Sequence, residues 1–149
     1  MVDREGAGER LIHMLAAKLW QDLWNGLMQS AADRGRLKVT VRRSLWEPSP
    51  GQPGRDCYFI ALRSSADVDV LVTHIWFECE PRAFVDRRQR RLPKVLAAGE
   101  TWETWLEVDK LPASVRDQAH ELVRVRLASG TVLKGKRVTR ARLNGERSL

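Results

Sequence analysis

Val68-Asp69-Val70-Leu71-Val72-Thr73-His74-Ile75-Trp76-Phe77-Glu78-Cys79 is the stretch on which the fold turns. It holds β-branched and aromatic residues and no Gly or Pro, so it reads as one long strand. Strict alternation puts Val70, Val72, His74 and Trp76 on one face. Leu71, Ile75, Phe77 and Cys79 fall on the other. A sheet wetted on one side alternates apolar with polar residues, and this stretch does not. Both faces are therefore read as covered, one of them by an opposing sheet. Two covers stay open for the other. A helix can lie on it, or a bulge near Thr73-His74 can switch the register so that one face collects the apolar residues. Ile75 and Phe77 are expected in the core.

Outward from this strand the pattern repeats in shorter pieces. Leu37–Arg42 alternates with Leu37, Val39 and Val41 inward, and Glu47–Gly54 is a loop of three prolines and two glycines. Cys57–Leu62 is a second strand, and Ser64–Asp67 a turn. Beyond the long strand come a short one over Arg82–Asp86 and a charged loop over Asp86–Arg91. Thr101–Val108 is a fifth strand. A connection over Leu111–Ala119, with a helical turn, leads to Leu122–Leu127, the sixth. Ser129-Gly130 is a tight turn into the seventh, Thr131–Val138. Seven short strands with brief connections predict a mainly β, antiparallel sandwich, because parallel pairing needs crossovers of a dozen residues or more.

Before the strands, residues 9–33 read as a helix rich in Ala, Leu, Gln, Lys and Met, with Gly35 past its end. At 100° per residue Lys18, Gln21, Asp22, Asn25 and Gln29 share a narrow stripe. Ile12, Leu15, Leu19, Trp20, Leu23, Trp24, Leu27 and Met28 fill the rest, while Leu11 falls on the stripe. This apolar arc is wider than a surface helix buries. The helix is expected to pack on the sandwich and to keep apolar surface for self-association. The division is 1–35 for the amphipathic helix, 36–140 for the sandwich and 141–149 for a loose basic tail.

The chain has 149 residues and carries 26 Lys plus Arg against 19 Asp plus Glu, a formal charge of +7. That length suits one domain with a proper core. There is no run of 18 apolar residues, so no segment is expected to span a membrane. The start, Met1-Val2-Asp3-Arg4-Glu5, gives no export signal, and two cysteines make no disulfide framework. A cytoplasmic protein with buried thiols at Cys57 and Cys79 is expected.

Thr73–Glu78, the doublet Glu100-Thr101-Trp102-Glu103-Thr104-Trp105 and Arg126–Val132 resemble small bacterial immunoglobulin-like β-sandwich proteins of unassigned function. The resemblance covers about residues 37–138. It implies a seven-stranded antiparallel immunoglobulin-like sandwich with one N-terminal helix. It brings no catalytic or binding residue. The inter-sheet disulfide of antibody domains is not expected, since Cys57 fits strand B and strand F has no cysteine.

No motif specifies an enzyme. His74 and Cys79 lie five apart on a strand and point to opposite faces, which does not suit zinc, and Cys57 is remote. His120 reads as solvated. A nucleophile with a base and an orienting carboxylate is not marked by spacing, and no Gly-rich phosphate loop precedes a helix. Glu103 and Glu107 flank Trp105 on one strand face. Glycosidases use such carboxylates, but an outward polar edge is the simpler reading. Neither catalytic residue, metal nor cofactor is expected.

Arginine is the strongest chemical signal, with 20 Arg against 6 Lys. Arg87, Arg88, Arg90 and Arg91 crowd one loop, and Lys134, Lys136 and Arg137 open the basic C-terminal segment. These are candidate anion contacts, since guanidinium forks suit phosphates. Any nucleic-acid binding through them is expected to be weak and indifferent to sequence. The six tryptophans suit core packing or an interface. Trp20, Trp24, Leu27 and Met28 on the helix are the candidate protein interface. The reading is a non-enzymatic protein-interaction module, self-associating through the helix. The alternative is an accessory touching nucleic-acid phosphates through the arginines.

Overall fold

The alternating segments form two sheets around one core in a computed structural model, which describes residues 5–65, 67–86 and 90–138. A helix, α1 (Glu5–Arg36), runs into β1 (Leu37–Trp46), β2 (Arg55–Ser64), β3 (Val70–Phe77) and β4 (Ala83–Phe84). Then follow β5 (Lys94–Leu96), β6 (Thr101–Glu107), β7 (Val123–Leu127), β8 (Val132–Lys134) and β9 (Lys136–Arg137). One sheet has the order β6-β2-β1-β9. The other has β4-β3-β7-β8, with β5 also on β3.

The expected seven antiparallel strands become nine among the described residues, and the β1–β9 pair is parallel. The extra strand β5 is three residues long and follows Pro93, too short to show a period. The strand expected over Thr131–Val138 breaks at Gly135. A Cβ there would lie 2.8 Å from Val41 Cγ2 and 2.9 Å from Val123 Cβ. The chain therefore squeezes between the sheets at this point. Gly135 N–H donates to Val123 O of the second sheet at 2.9 Å, and Val138 N–H donates to Val41 O of the first at 3.1 Å. The connection over Leu111–Ala119 sits among three short 3-10 turns, Val108–Lys110, Ala113–Val115 and His120–Leu122.

The deciding strand carries its bulge where the residue pattern allowed one. Val72 pairs with Leu127 and His74 with Arg126, so Thr73 is the extra residue. Val70 and Val72 face the core before it, and Ile75 and Phe77 face the core after it, 1% and 0% exposed. Leu71, His74 and Trp76 are left outside. Phe84 lies against Trp76, with ring centroids 6.0 Å apart, and the Arg82 guanidinium sits over the same ring. The two-sided cover expected for this strand reduces to one core face and a local cap.

This is why the expected packing of the helix on the sandwich is not found. After the bulge the outer face of β3 is partly covered by its own sheet, through Phe84 and Arg82 on Trp76. The ten large apolar side chains from Leu11 to Met28 are instead 55–74% exposed. The helix is longer than expected and is held at its C-terminal end. Ser65 Oγ donates to Gly35 O at 2.9 Å, and Ser65 N–H donates to Arg36 O at 2.8 Å. No helix among the described residues is long and apolar enough to cross a membrane. The tail assigned to 141–149 lies outside the described residues.

Candidate functional site

Trp20, Trp24, Leu27 and Met28, the interface candidates, stand on α1 and are 74%, 60%, 64% and 56% exposed. Their neighbours extend the surface. Leu11, Leu15, Leu19, Leu23 and Leu27 follow one another at every fourth position, and Ile12, Ala16, Trp20, Trp24 and Met28 make a parallel row. Side chains four apart form the ridges along which helices interdigitate. The charged residues Glu9, Arg10, Lys18 and Asp22 cancel.

The anion candidates separate. Arg87 and Arg88 lie outside the described residues. Arg91 is exposed and takes a left-handed backbone, φ 57°. Arg90 is not a free cation at the surface: its guanidinium lies 3.5 Å from the centre of the Trp105 ring, on the outer face of the first sheet. Burial there lowers its pKa, with the Cys57, Glu107 and Asp86 charges opposing. Lys134, Lys136 and Arg137 are exposed on β8 and β9.

Arg90 completes a layer that counting arginines could not reveal. Trp105 meets Trp46 at 5.5 Å and Phe59 at 6.2 Å, while Arg42 sits 4.3 Å over Phe59. Glu103 accepts from Arg42 at 3.1 Å, and Glu107 accepts from Arg55 at 2.9 Å. The carboxylates beside Trp105 thus belong to cross-strand ion pairs. Cys57 lies beneath this layer, fully buried, and burial followed by the Glu107 charge pushes its thiol pKa up. A thiol so placed is a weak nucleophile.

A second cluster closes the end of the core. Arg43 donates twice to Asp56, at 2.6 and 3.0 Å, once to Asp117 at 2.9 Å and once to Arg116 O at 3.3 Å. The guanidinium holds the Asp56 pKa below the usual carboxylate range. Tyr58 OH donates to Arg116 O and accepts from Ala119 N–H. His120, expected to be solvated, is half-buried with its ring edge-on to Tyr58 at 5.0 Å. Desolvation, then the Arg137 and Arg43 charges, lower its pKa. Pairing strands across the 47–54 loop would have signalled the Arg43–Asp56 contact. The reach to Asp117 spans 74 positions and left no mark in the sequence.

His74 and Cys79 belong to the second sheet and its β3–β4 connection, and Cys57 to the outer face of the first, so the three do not converge. Among the described residues no three His, Cys, Asp or Glu side chains gather as a metal site. No protein family, curated protein or solved structure was found to match this chain.

Proposed function

We propose that this chain is a non-enzymatic interaction module in which an immunoglobulin-like sandwich carries a helix that pairs with a second copy of itself. The sandwich reading draws support from the strand orders β6-β2-β1-β9 and β4-β3-β7-β8. The passage of the last strand from one sheet to the other at Gly135 supports it too. The observation that carries the function is the exposed helix. Ten large apolar side chains of one element are more than half exposed. A patch of this kind marks an interaction surface.

Area and charge favour a second copy as the occupant. One two-fold contact covers only part of this arc; if about half of the ten side chains are buried at on the order of 100 Å² each, a pair buries about 1,000 Å², the lower bound of a specific interface. The cancelled charges let two helices approach without repulsion, whereas the remainder of a chain of charge +7 resists self-contact. A spacing of four suits crossed ridges rather than the 3.5-residue seam of a coiled coil. Two-fold pairing makes the same patch serve both partners.

Trp20→Glu with Trp24→Glu tests this by gel filtration with light scattering on the full chain. The expected result is a loss of the dimer and a melting temperature that no longer depends on protein concentration. A variant that elutes like the wild-type dimer would remove the helix from the interface.

A further inference from the structure

The seam between the two sheets, at the foot of α1, holds a groove of about 710 Å³. Leu37 and Val39 of β1 lie on one side of it and Val132, Leu133 and Lys134 of β8 on the other. Lys38 and Lys136 stand at its rims.

The β8 edge along this groove is open, and the β1 edge is partly taken by β9. On β1, Arg36 O accepts from Ser65 on the β2 side, and Val41 O accepts from Val138 on the β9 side. Backbone groups alternate along a strand, so those of Leu37 and Val39 point away from β2. The parallel register of β9 on Thr40 and Val41, with Val138 N–H on Val41 O, directs Lys136 N–H to the Val39 carbonyl and stops short of Leu37. On β8, Thr131 O accepts from Leu127, and Gly135 N–H donates to Val123. Val132 and Lys134 therefore turn their N–H and C=O groups outward, where no strand pairs with them among the described residues. Such an edge is a template for another strand.

Charge selects among occupants. Three lysines line the groove and no carboxylate does. Lys38, Lys134 and Lys136 have no ion pair among the described residues. The chain's own residues after β9 are basic, and like charge disfavours them as the occupant. We propose that this seam takes an extended acidic peptide segment of a partner protein, added as a strand on the free edge of β8. The backbone bonds to Val132 and Lys134 hold the segment. Alternate apolar side chains enter the groove beside Leu133 and Leu37, and the carboxylates between them meet the lysines. This site is separate from the α1 surface and stands whether or not the helix pairs.

The test uses the full chain and a fluorescein-labelled decapeptide of alternating Val and Glu. Its comparators are the same peptide with Lys for Glu, an oligothymidine and dodecanoate. Amide shifts at Val132 and Lys134 locate binding. Lys134→Glu with Lys136→Glu alters two exposed, unpaired side chains and leaves the core alone. The acidic peptide is expected to bind this variant about tenfold or more weakly, and the Lys peptide to bind it better than it binds wild type. Val132→Pro removes an outward N–H from an edge strand, and it is expected to abolish binding with the far-ultraviolet spectrum unchanged. Equal binding of the acidic peptide by wild type and the charge-reversed variant overturns the proposal. So does preference of the seam for oligothymidine or dodecanoate, or no peptide binding at about 1 mM, a ceiling set by weak association.

Discussion

Thr73 turns the second half of β3 over. As an extra residue between the Val72–Leu127 and His74–Arg126 pairs, it lets Val72 and Ile75 face the same core although they are three positions apart. Phe77 is the largest side chain to benefit, packed against Tyr58 with ring centroids 5.6 Å apart. Phe77→Ala is expected to cost about 3–5 kcal/mol, from lost transfer energy and the cavity left behind. Urea unfolding measures this, and a loss below about 1 kcal/mol would place Phe77 outside a packed core. His120 gives a pH signature. Its folded pKa is lowered by burial and by Arg137 and Arg43, so the unfolded chain binds the proton more readily. Its contribution is intact above the usual histidine range and is lost as pH falls through that range toward the folded value. His120→Gln is expected to flatten this part of the profile of stability against pH. An unchanged profile would show that His120 titrates alike in both states.

Elements with a strong period were legible in the sequence, and those defined by distant partners were not. Strands β1 and β7 announce themselves by alternation, β2 and β6 by short runs of apolar and β-branched residues, and α1 by a run of helix formers before Gly26 that meets no Pro. The length of the apolar arc on α1 was equally visible. The exposure of its described side chains was not, because that depends on the bulge at Thr73 and on Arg82, Phe84, Arg90 and Trp105 covering the sheets themselves. Arg90 read as one charge in a cluster, since nothing local tells a stacked guanidinium from a solvated one. The β8–β9 break depends on a single glycine held between two sheets. Gly135→Ala is expected to destabilise by about 1–3 kcal/mol through overpacking against Val41 and Val123. Thermal or urea unfolding reads this directly. No measurable loss would mean that the strand passes the seam with room to spare.

At the scale of the whole molecule, the two sheets bury their apolar faces against each other. The outer face of the first sheet is capped by stacked arginines, tryptophans and ion pairs. Among the described residues the helix carries the largest group of exposed apolar side chains. Burying it against another copy removes apolar surface from water at about 25 cal/mol per Å², set against the entropy of association. On the proposed reading, basic groups distributed over the sheets and their connections keep other faces apart, and the pairing is expected to close at two copies. Sedimentation equilibrium of the full wild-type chain across a range of concentrations tests this account most directly. The chain has a mass of 17.1 kDa, and the account predicts a reversible rise to twice that value and no further. A mass that stays at 17.1 kDa at every concentration would contradict it.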